Sequence, residues 1–146
     1  MNLELKSFEL PLKDPMQTAS DTLTHRRGWA ILLTGESVTG LGEATPLPGW
    51  TETYRRCRRR LKQLPSRLSS SEVEETLGGM DTTPAARHGL SLALLDWRAK
   101  RGREPLYRLL GGSYEPPAID VNAVVGDASV RETRRRTRQA RQCGFR

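Results

Sequence analysis

One helical segment constrains the fold of this chain more than any other: residues 84–112, PAARHGLSLALLDWRAKRGREPLYRLLGG. Thr83 is a suitable N-cap, Pro84 suits the first helical position, and Gly102 can end the helix. Two apolar stripes follow at helical spacing: Ala86, Leu90, Ala93 and Trp97 on one face, and Ala85, Leu92, Leu95 and Ala99 on the other. A helix that is apolar on two faces is covered from two sides, so the sequence predicts a buried central helix between two layers.

Alternating apolar residues before this helix predict three strands, near residues 3–12, 28–34 and 38–44. Pro11 and Pro15 are expected to end the first strand, and residues 13–25 to form a long polar loop. A short hairpin connection at residues 35–37 is expected to join the second and third strands. Gly40 and Gly42 indicate that another backbone or a ligand comes close to the third strand.

Two shorter helices are predicted between the strands and the central helix. The first covers residues 51–64 and carries an arginine cluster, and the second has Ser71 and Glu74 as a capping box and ends near Leu77. Strands followed by helices give an α+β fold, a three-stranded antiparallel meander followed by helices.

The pattern changes after Gly112. Pro116 and Pro117 indicate a linker, residues 119–125 alternate as a strand, and residues 129–142 are helical. We therefore predict two domains, residues 1–115 and residues 116–146, the second a single β-loop-α unit.

Composition limits the class of protein. No aliphatic stretch is longer than four residues, as at residues 30–33, so no membrane segment is expected, and the N-terminus does not open as a signal peptide. Cys57 and Cys143 fit no metal spacing and predict two reduced thiols in a cytoplasmic protein. The net charge of +7 comes largely from arginines at residues 55–60 and 131–141. Few aromatic residues accompany them, which favours solvated helix faces over a nucleic-acid partner.

Side chains with catalytic potential do not form a recognisable set. Gly40 and Gly42 lack the third glycine of a dinucleotide-binding motif. We expect His88 to pack within the central helix, and Asp96 to pair with Arg98 or Arg101. No nucleophile–base pair or metal cluster can be assembled from the remaining residues.

Three motifs in order resemble the enolase superfamily, in its muconate-cycloisomerase-like branch. GLGEATPLPGWTET at residues 40–53 looks like the third strand and the following specificity loop of that family. The segment 84–112 looks like its long helix, and VNAVVGD at residues 121–127 looks like the first strand of its barrel. The resemblance implies an N-terminal capping domain followed by the first βα unit of a truncated (β/α)8 barrel.

The resemblance also implies what this chain lacks. Enzymes of the family remove a proton alpha to a carboxylate and stabilise the product anion on Mg²⁺, using lysines and acidic metal ligands from later barrel strands. No position here matches those residues, so no catalytic residue, no metal ligand and no bound Mg²⁺ is expected in this chain. A small-molecule carboxylate is the expected substrate of the complete family enzyme, and the rest of the barrel or a second copy the expected partner.

Two loops of the capping domain shape the substrate site in this family. They correspond here to residues 13–25 and 45–51, which makes six residues candidates for proximity to substrate: Thr18, Ala19, Ser20, Asp21, Leu47 and Trp50.

The motif GEATPLPGWTE at residues 42–52 favours o-succinylbenzoate synthase, a metal-dependent carbon–oxygen lyase of menaquinone biosynthesis, among the family's activities. The chain is expected to be the N-terminal portion of such a lyase and inactive alone. A dipeptide epimerase or a cycloisomerase of the same superfamily is the alternative, and a basic nucleic-acid-binding protein is the alternative of another class.

Overall fold

The computed structural model describes residues 1–17, 21–113, 115, 118–125 and 129–145. Three strands come first: β1 (Asn2–Gln17), β2 (Thr22–Gly35) and β3 (Val38–Ala44). The helices follow in chain order: α1 (Tyr54–Lys62), α2 (Ser70–Gly78), α3 (Pro84–Arg101), α4 (Leu106–Leu109) and α5 (Val130–Gln142). The predicted α+β order of strands and then helices is confirmed.

The strands form one antiparallel sheet in the order β1-β2-β3, as the meander requires. Gly35 pairs with Val38, and the two residues between them, Glu36 and Ser37, have positive φ values of 52° and 63°. Such turns match the twist of the strands that they join. The predicted short hairpin connection is therefore confirmed.

β1 is longer than predicted. It continues through Pro11 and Pro15 to Gln17, so most of residues 13–25 is strand and not loop. β1 is an edge strand, with β2 on one side and no strand on the other. The backbone nitrogens of residues 11 and 15 point to the same side of a strand. If that side is the free edge, the two prolines remove no hydrogen bond from the sheet. The expectation that these prolines end the strand is wrong.

The central helix α3 has the predicted extent and Gly102 as its C-cap. Its first apolar stripe is buried throughout, and on the second stripe Ala85 and Ala99 are buried while Leu92 and Leu95 are half-buried. One side of α3 packs on β3, and α1 and α2 also contact it. The core also includes Trp29, Ile31 and Leu33 from β2, Cys57 and Leu61 from α1, and Val73 from α2.

Close approach between β3 and α3 explains the glycines of β3. A Cβ atom on Gly42 would overlap the carbonyl oxygen of Gly89, and one on Gly40 would overlap that of Ala93. The neighbour predicted near these glycines is thus the backbone of α3.

The two short helices differ in detail from the prediction. α1 begins later and ends earlier than expected, with Thr53 as its N-cap accepting a hydrogen bond from the Arg56 backbone N–H. The capping box of α2 is formed by Ser69 and Glu72 and not by Ser71 and Glu74. The sequence contains two overlapping S-x-x-E patterns here, Ser69 with Glu72 and Ser71 with Glu74, and the pattern alone does not show which of them caps the helix.

Residues 118–125 form no strand in the part of the chain that the structure describes, contrary to the prediction for residues 119–125. Ile119, Val121 and Val124 are exposed there, and a strand requires a neighbour for its backbone hydrogen bonds. The predicted helix is confirmed as α5, and Ser129 caps it by accepting the backbone N–H of Glu132.

Contacts divide the chain into two units. One consists of Met1–Leu10 and Arg27–Tyr114 and contains α1–α4 and the hydrophobic core. The other consists of Pro11–Arg26 and Glu115–Arg146 and contains the distal part of the β1–β2 hairpin and α5. The predicted domain boundary between residues 115 and 116 stays a prediction.

Candidate functional site

Residues 45–51 form a tight turn directly after β3, which we call the Trp50 turn. The carbonyl oxygen of Leu47 accepts the N–H of Trp50 at 3.0 Å and that of Thr51 at 2.8 Å. In return, the N–H of Leu47 donates to the hydroxyl of Thr51 at 2.7 Å. Gly49 has a φ of +95°, a value that glycine adopts without the strain that a side chain brings. The turn is therefore closed on itself by backbone and side-chain bonds.

The buried carboxylate of Glu52 connects the Trp50 turn to α3. Glu52 is only 6% exposed, and its two oxygens accept the backbone N–H groups of Ala85 and Ala86, each at 2.9 Å. The first N–H groups of a helix have no partner within the helix, and the positive end of its dipole favours a carboxylate. Glu52 thus caps α3 from a position more than thirty residues earlier in the chain.

Thr83 does not provide the side-chain cap that the sequence suggested. Its hydroxyl donates to the carbonyl oxygen of Met80 at 3.2 Å instead, and it makes no side-chain capping bond. Sequence reasoning missed Glu52 because capping patterns are local, whereas this cap crosses from one element to another. The only available signal was a single acidic residue after the proline–glycine loop.

The thiol of Cys57 lies beside Glu52 and is fully buried. Burial raises the pKa of Cys57 to about 12, and the charge of Glu52 and a hydrogen bond to it add to the effect. Cys57 is therefore a protonated, unreactive core residue. Cys143 is exposed, and both cysteines are free, as predicted.

The structure brings two of the six predicted site residues together. Leu47 is half-buried at the start of the Trp50 turn, and Trp50 is 86% exposed. Asp21 is exposed before β2, where its carboxylate accepts the N–H of Thr22 at 2.7 Å. Thr18, Ala19 and Ser20 lie outside the described residues.

A shallow cleft of about 440 Å³ lies beside the Trp50 turn, between the end of β3 and the start of α3. Its lining combines an apolar floor with a carboxylate, two hydroxyls and an imidazole: Pro84, Ala85, Leu92, Glu43, Thr45, Thr51 and His88. The predicted packing role of His88 is wrong, since this side chain is exposed on the cleft. Such a lining can hydrogen-bond a polar group but presents no activated nucleophile.

Asp96 has a structural role, although with other partners than predicted. Its carboxylate forms an ion pair with Lys100 and accepts the backbone N–H of Leu41, both at 2.7 Å. Arg98 and Arg101, the predicted partners, pair with Glu74 and Glu36 instead. Asp96 therefore ties α3 to β3.

No group of three or more histidine, cysteine or acidic side chains capable of holding a metal occurs within the described residues. The donor set of a Mg²⁺ site is thus missing from this part of the chain. Among the helices that the structure describes, none combines the length and the apolar character needed to cross a bilayer.

Comparison with known proteins gives a consistent result. The model of the family described as MenC, N-terminal domain, matches residues 1–97. The N-succinylamino acid racemase of Thermus thermophilus is 32% identical over 154 residues, covering 98% of this chain and 41% of the racemase. The o-succinylbenzoate synthase of Thermosynechococcus vestitus is 34% identical over 111 residues, covering 75% of this chain and 32% of the synthase.

A solved structure shows the same fold. The dipeptide epimerase of Methylococcus capsulatus, complexed with Mg and the dipeptide L-Arg-D-Lys, matches with a TM-score of 0.83 at 24% identity, covering 100% of this chain and 44% of the epimerase. The chain thus spans about two fifths of the racemase and about one third of the synthase. The sheet, the central helix and the family match agree, and the chain belongs to the MenC N-terminal domain family of the enolase superfamily.

Proposed function

We propose that this chain is the N-terminal portion of an enzyme that resembles o-succinylbenzoate synthase, that it includes the capping domain, and that the Trp50 turn faces the substrate. The observation that carries the proposal is an indole 86% exposed on a tightly bonded turn, within a segment that the family model matches. A large apolar side chain held in water on a closed turn is available to cover the apolar part of a ligand.

The residues of the turn would contact the substrate without taking part in the reaction. Trp50 and Leu47 would pack on the apolar part of a small carboxylate and exclude water from it. The acid–base groups, and the Mg²⁺ that stabilises a developing negative charge, would belong to the barrel of the complete enzyme. Residues 1–115 would form the capping domain. Residues 116–146 would supply the first strand and helix of the barrel, and residues 119–125 would become a strand only when a neighbouring strand pairs with them. The chain alone would be inactive.

Relatives that share this framework differ in activity, and the choice of o-succinylbenzoate synthase rests on similarity. The T. vestitus synthase is 34% identical and the T. thermophilus racemase 32% identical, so identity alone does not separate lyase from racemase. Epimerisation of a dipeptide is the third candidate. The motif at residues 42–52 is what favours the lyase.

A chimera tests the proposal. Residues 1–115 of this chain would replace the capping domain of the T. vestitus synthase, and Mg²⁺-dependent dehydration would be assayed together with racemase and epimerase substrates. We expect dehydration to be the main activity. Trp50→Ala should raise KM about tenfold, the loss expected for about 1.4 kcal/mol of apolar contact, and change kcat less.

Leu41→Ala provides the matched control, because Leu41 is also an exposed apolar residue, at 52%, but lies on β3 outside the turn. Its KM should equal that of the unmodified chimera. A folded chimera without activity, or an equal effect of both variants, would contradict the proposal.

A further inference from the structure

Glu52 is the one charged side chain that is buried among the residues that the structure describes. A buried carboxylate is unfavourable unless it is paired and hydrogen-bonded. Here both oxygens receive N–H groups, from Ala85 and Ala86, and these residues are themselves buried. Pro84 has no N–H to offer, so Glu52 satisfies the first two N–H groups of α3.

The same residue determines where the Trp50 turn ends. Thr51, its neighbour, closes the turn internally through the N–H of Leu47, and Glu52 fixes the end of the turn to α3. Trp50 lies between Leu47 and Thr51, which are bonded to each other, and two residues before Glu52. An indole that is 86% exposed has little packing of its own, so the path of the backbone sets where its Cα–Cβ bond points.

We infer that Glu52 is a positioning residue, which holds the Trp50 turn on the end of α3 as a static wall and not as a loop that opens and closes. The role of that wall against substrate rests on the proposed function, whereas its rigidity does not. The Trp50 turn would thus differ from a lid, which is a loop that closes over the substrate on binding.

Backbone ¹⁵N relaxation of the whole chain, without substrate, tests the inference. Order parameters of Trp50 and Thr51 should be about 0.85, as in rigid backbone, and Glu52→Gln should lower those of residues 47–51 below about 0.6. Glutamine has only one acceptor oxygen, so one of the two N–H bonds to α3 is lost.

Glu72→Gln is the matched control, because Glu72 also caps a helix with its carboxylate, by accepting the N–H of Ser69 at 2.6 Å. This variant should leave the Trp50 turn unchanged. Equal loosening in both variants would show a global effect and would overturn the inference.

A mobile turn in the unmodified chain would also overturn it, even if Glu52→Gln does not fold. Thr51→Val provides a second variant that keeps the cap. It should loosen residues 47–50 while the amides of Ala85 and Ala86 stay protected from hydrogen exchange. The relaxation experiment uses no ligand. A mobile turn would therefore count against the role of Glu52, whereas an inactive chimera would count against the proposed function.

Discussion

The carboxylate of Glu52 and the backbone nitrogen of Ala86 are separated by 34 positions in the chain and by 2.9 Å in space. This contact joins the end of the Trp50 turn to the start of the central helix. An exposed turn that displays a tryptophan is therefore attached to a helix whose apolar face is buried and which packs against β3.

The close contact between β3 and α3 predicts a strong effect at Gly42. Gly42→Ala should lower the free energy of unfolding by about 2–3 kcal/mol, because the added methyl overlaps the carbonyl oxygen of Gly89 and both backbones must move. Urea unfolding followed by circular dichroism measures this change.

Gly78→Ala is the control for that measurement. A Cβ atom there meets nothing within 4 Å, and Gly78 lies at the end of α2. Its stability should be unchanged or higher by a few tenths of a kcal/mol, since alanine favours helix over glycine. Equal destabilisation by both substitutions would contradict the packing described for β3.

The two cysteines are expected to differ in reactivity. With a pKa of about 12 and full burial, Cys57 should not react with Ellman's reagent in the folded chain at pH 8, whereas exposed Cys143 should. The unmodified chain should thus release one equivalent of chromophore quickly, and Cys143→Ser should release none until it is unfolded. Fast release from Cys143→Ser would show that Cys57 is accessible.

The raised pKa of Cys57 also predicts the direction of alkaline destabilisation. The folded state holds this proton up to about pH 12, whereas the thiol of the unfolded chain, with an ordinary pKa of 9.0, loses it earlier. The contribution to stability is therefore complete below pH 9 and declines as the pH rises from 9 toward 12. Cys57→Ala should flatten this part of the stability curve relative to the unmodified chain.

Much of the core could be read from the sequence because α3 carries its own signals. Pro84, Gly102 and the stripe from Ala86 to Trp97 predict its ends and its buried face, and the structure agrees. The turn at Glu36 and Ser37 was also predictable, since it depends on neighbouring residues only.

What the sequence did not reveal depends on distant partners. The path of β1 through Pro11 depends on its being the edge strand, and the cap of α3 depends on Glu52 from another element. For the site, Leu47 and Trp50 were found through the family resemblance. Exposed His88 was misread because an apolar helix does not indicate which of its turns borders a cleft.

Glu132 on α5 should titrate well below an ordinary glutamate. Hydrogen bonds from Arg135 and Arg136 lower the pKa of Glu132 from 4.5 to about 2. Because the folded pKa is depressed, this interaction favours α5 above pH 4.5 and is lost as the pH falls through about 2.

A ¹³C NMR titration of the Glu132 carboxyl tests that prediction. Replacing Arg135 and Arg136 by glutamine should return its pKa toward 4.5. Arg138→Gln, which removes a neighbouring charge that makes no contact with Glu132 among the described bonds, should leave it near 2. A pKa near 4.5 in the unmodified chain would contradict the ion pairs described for α5.

Nucleic-acid binding is expected to be weak and purely electrostatic. With a net charge of +7, the chain should bind a labelled DNA duplex at low salt and release it near about 0.15 M salt, since counterion release dominates such contacts. Fluorescence anisotropy at several salt concentrations measures this. Binding that persists at about 0.15 M salt and disappears when Arg134, Arg135 and Arg138 are neutralised would instead favour the nucleic-acid-binding alternative.

Contact between Trp50 and a bound ligand is the central claim, and ¹⁹F NMR tests it most directly. The chimera of residues 1–115 with the T. vestitus synthase would be labelled with 5-fluorotryptophan, and Trp50→Phe would assign the signal. Addition of o-succinylbenzoate and Mg²⁺ should shift the Trp50 signal and leave those of buried Trp29 and Trp97 in place. An active chimera whose Trp50 signal does not move at saturating ligand would contradict the account.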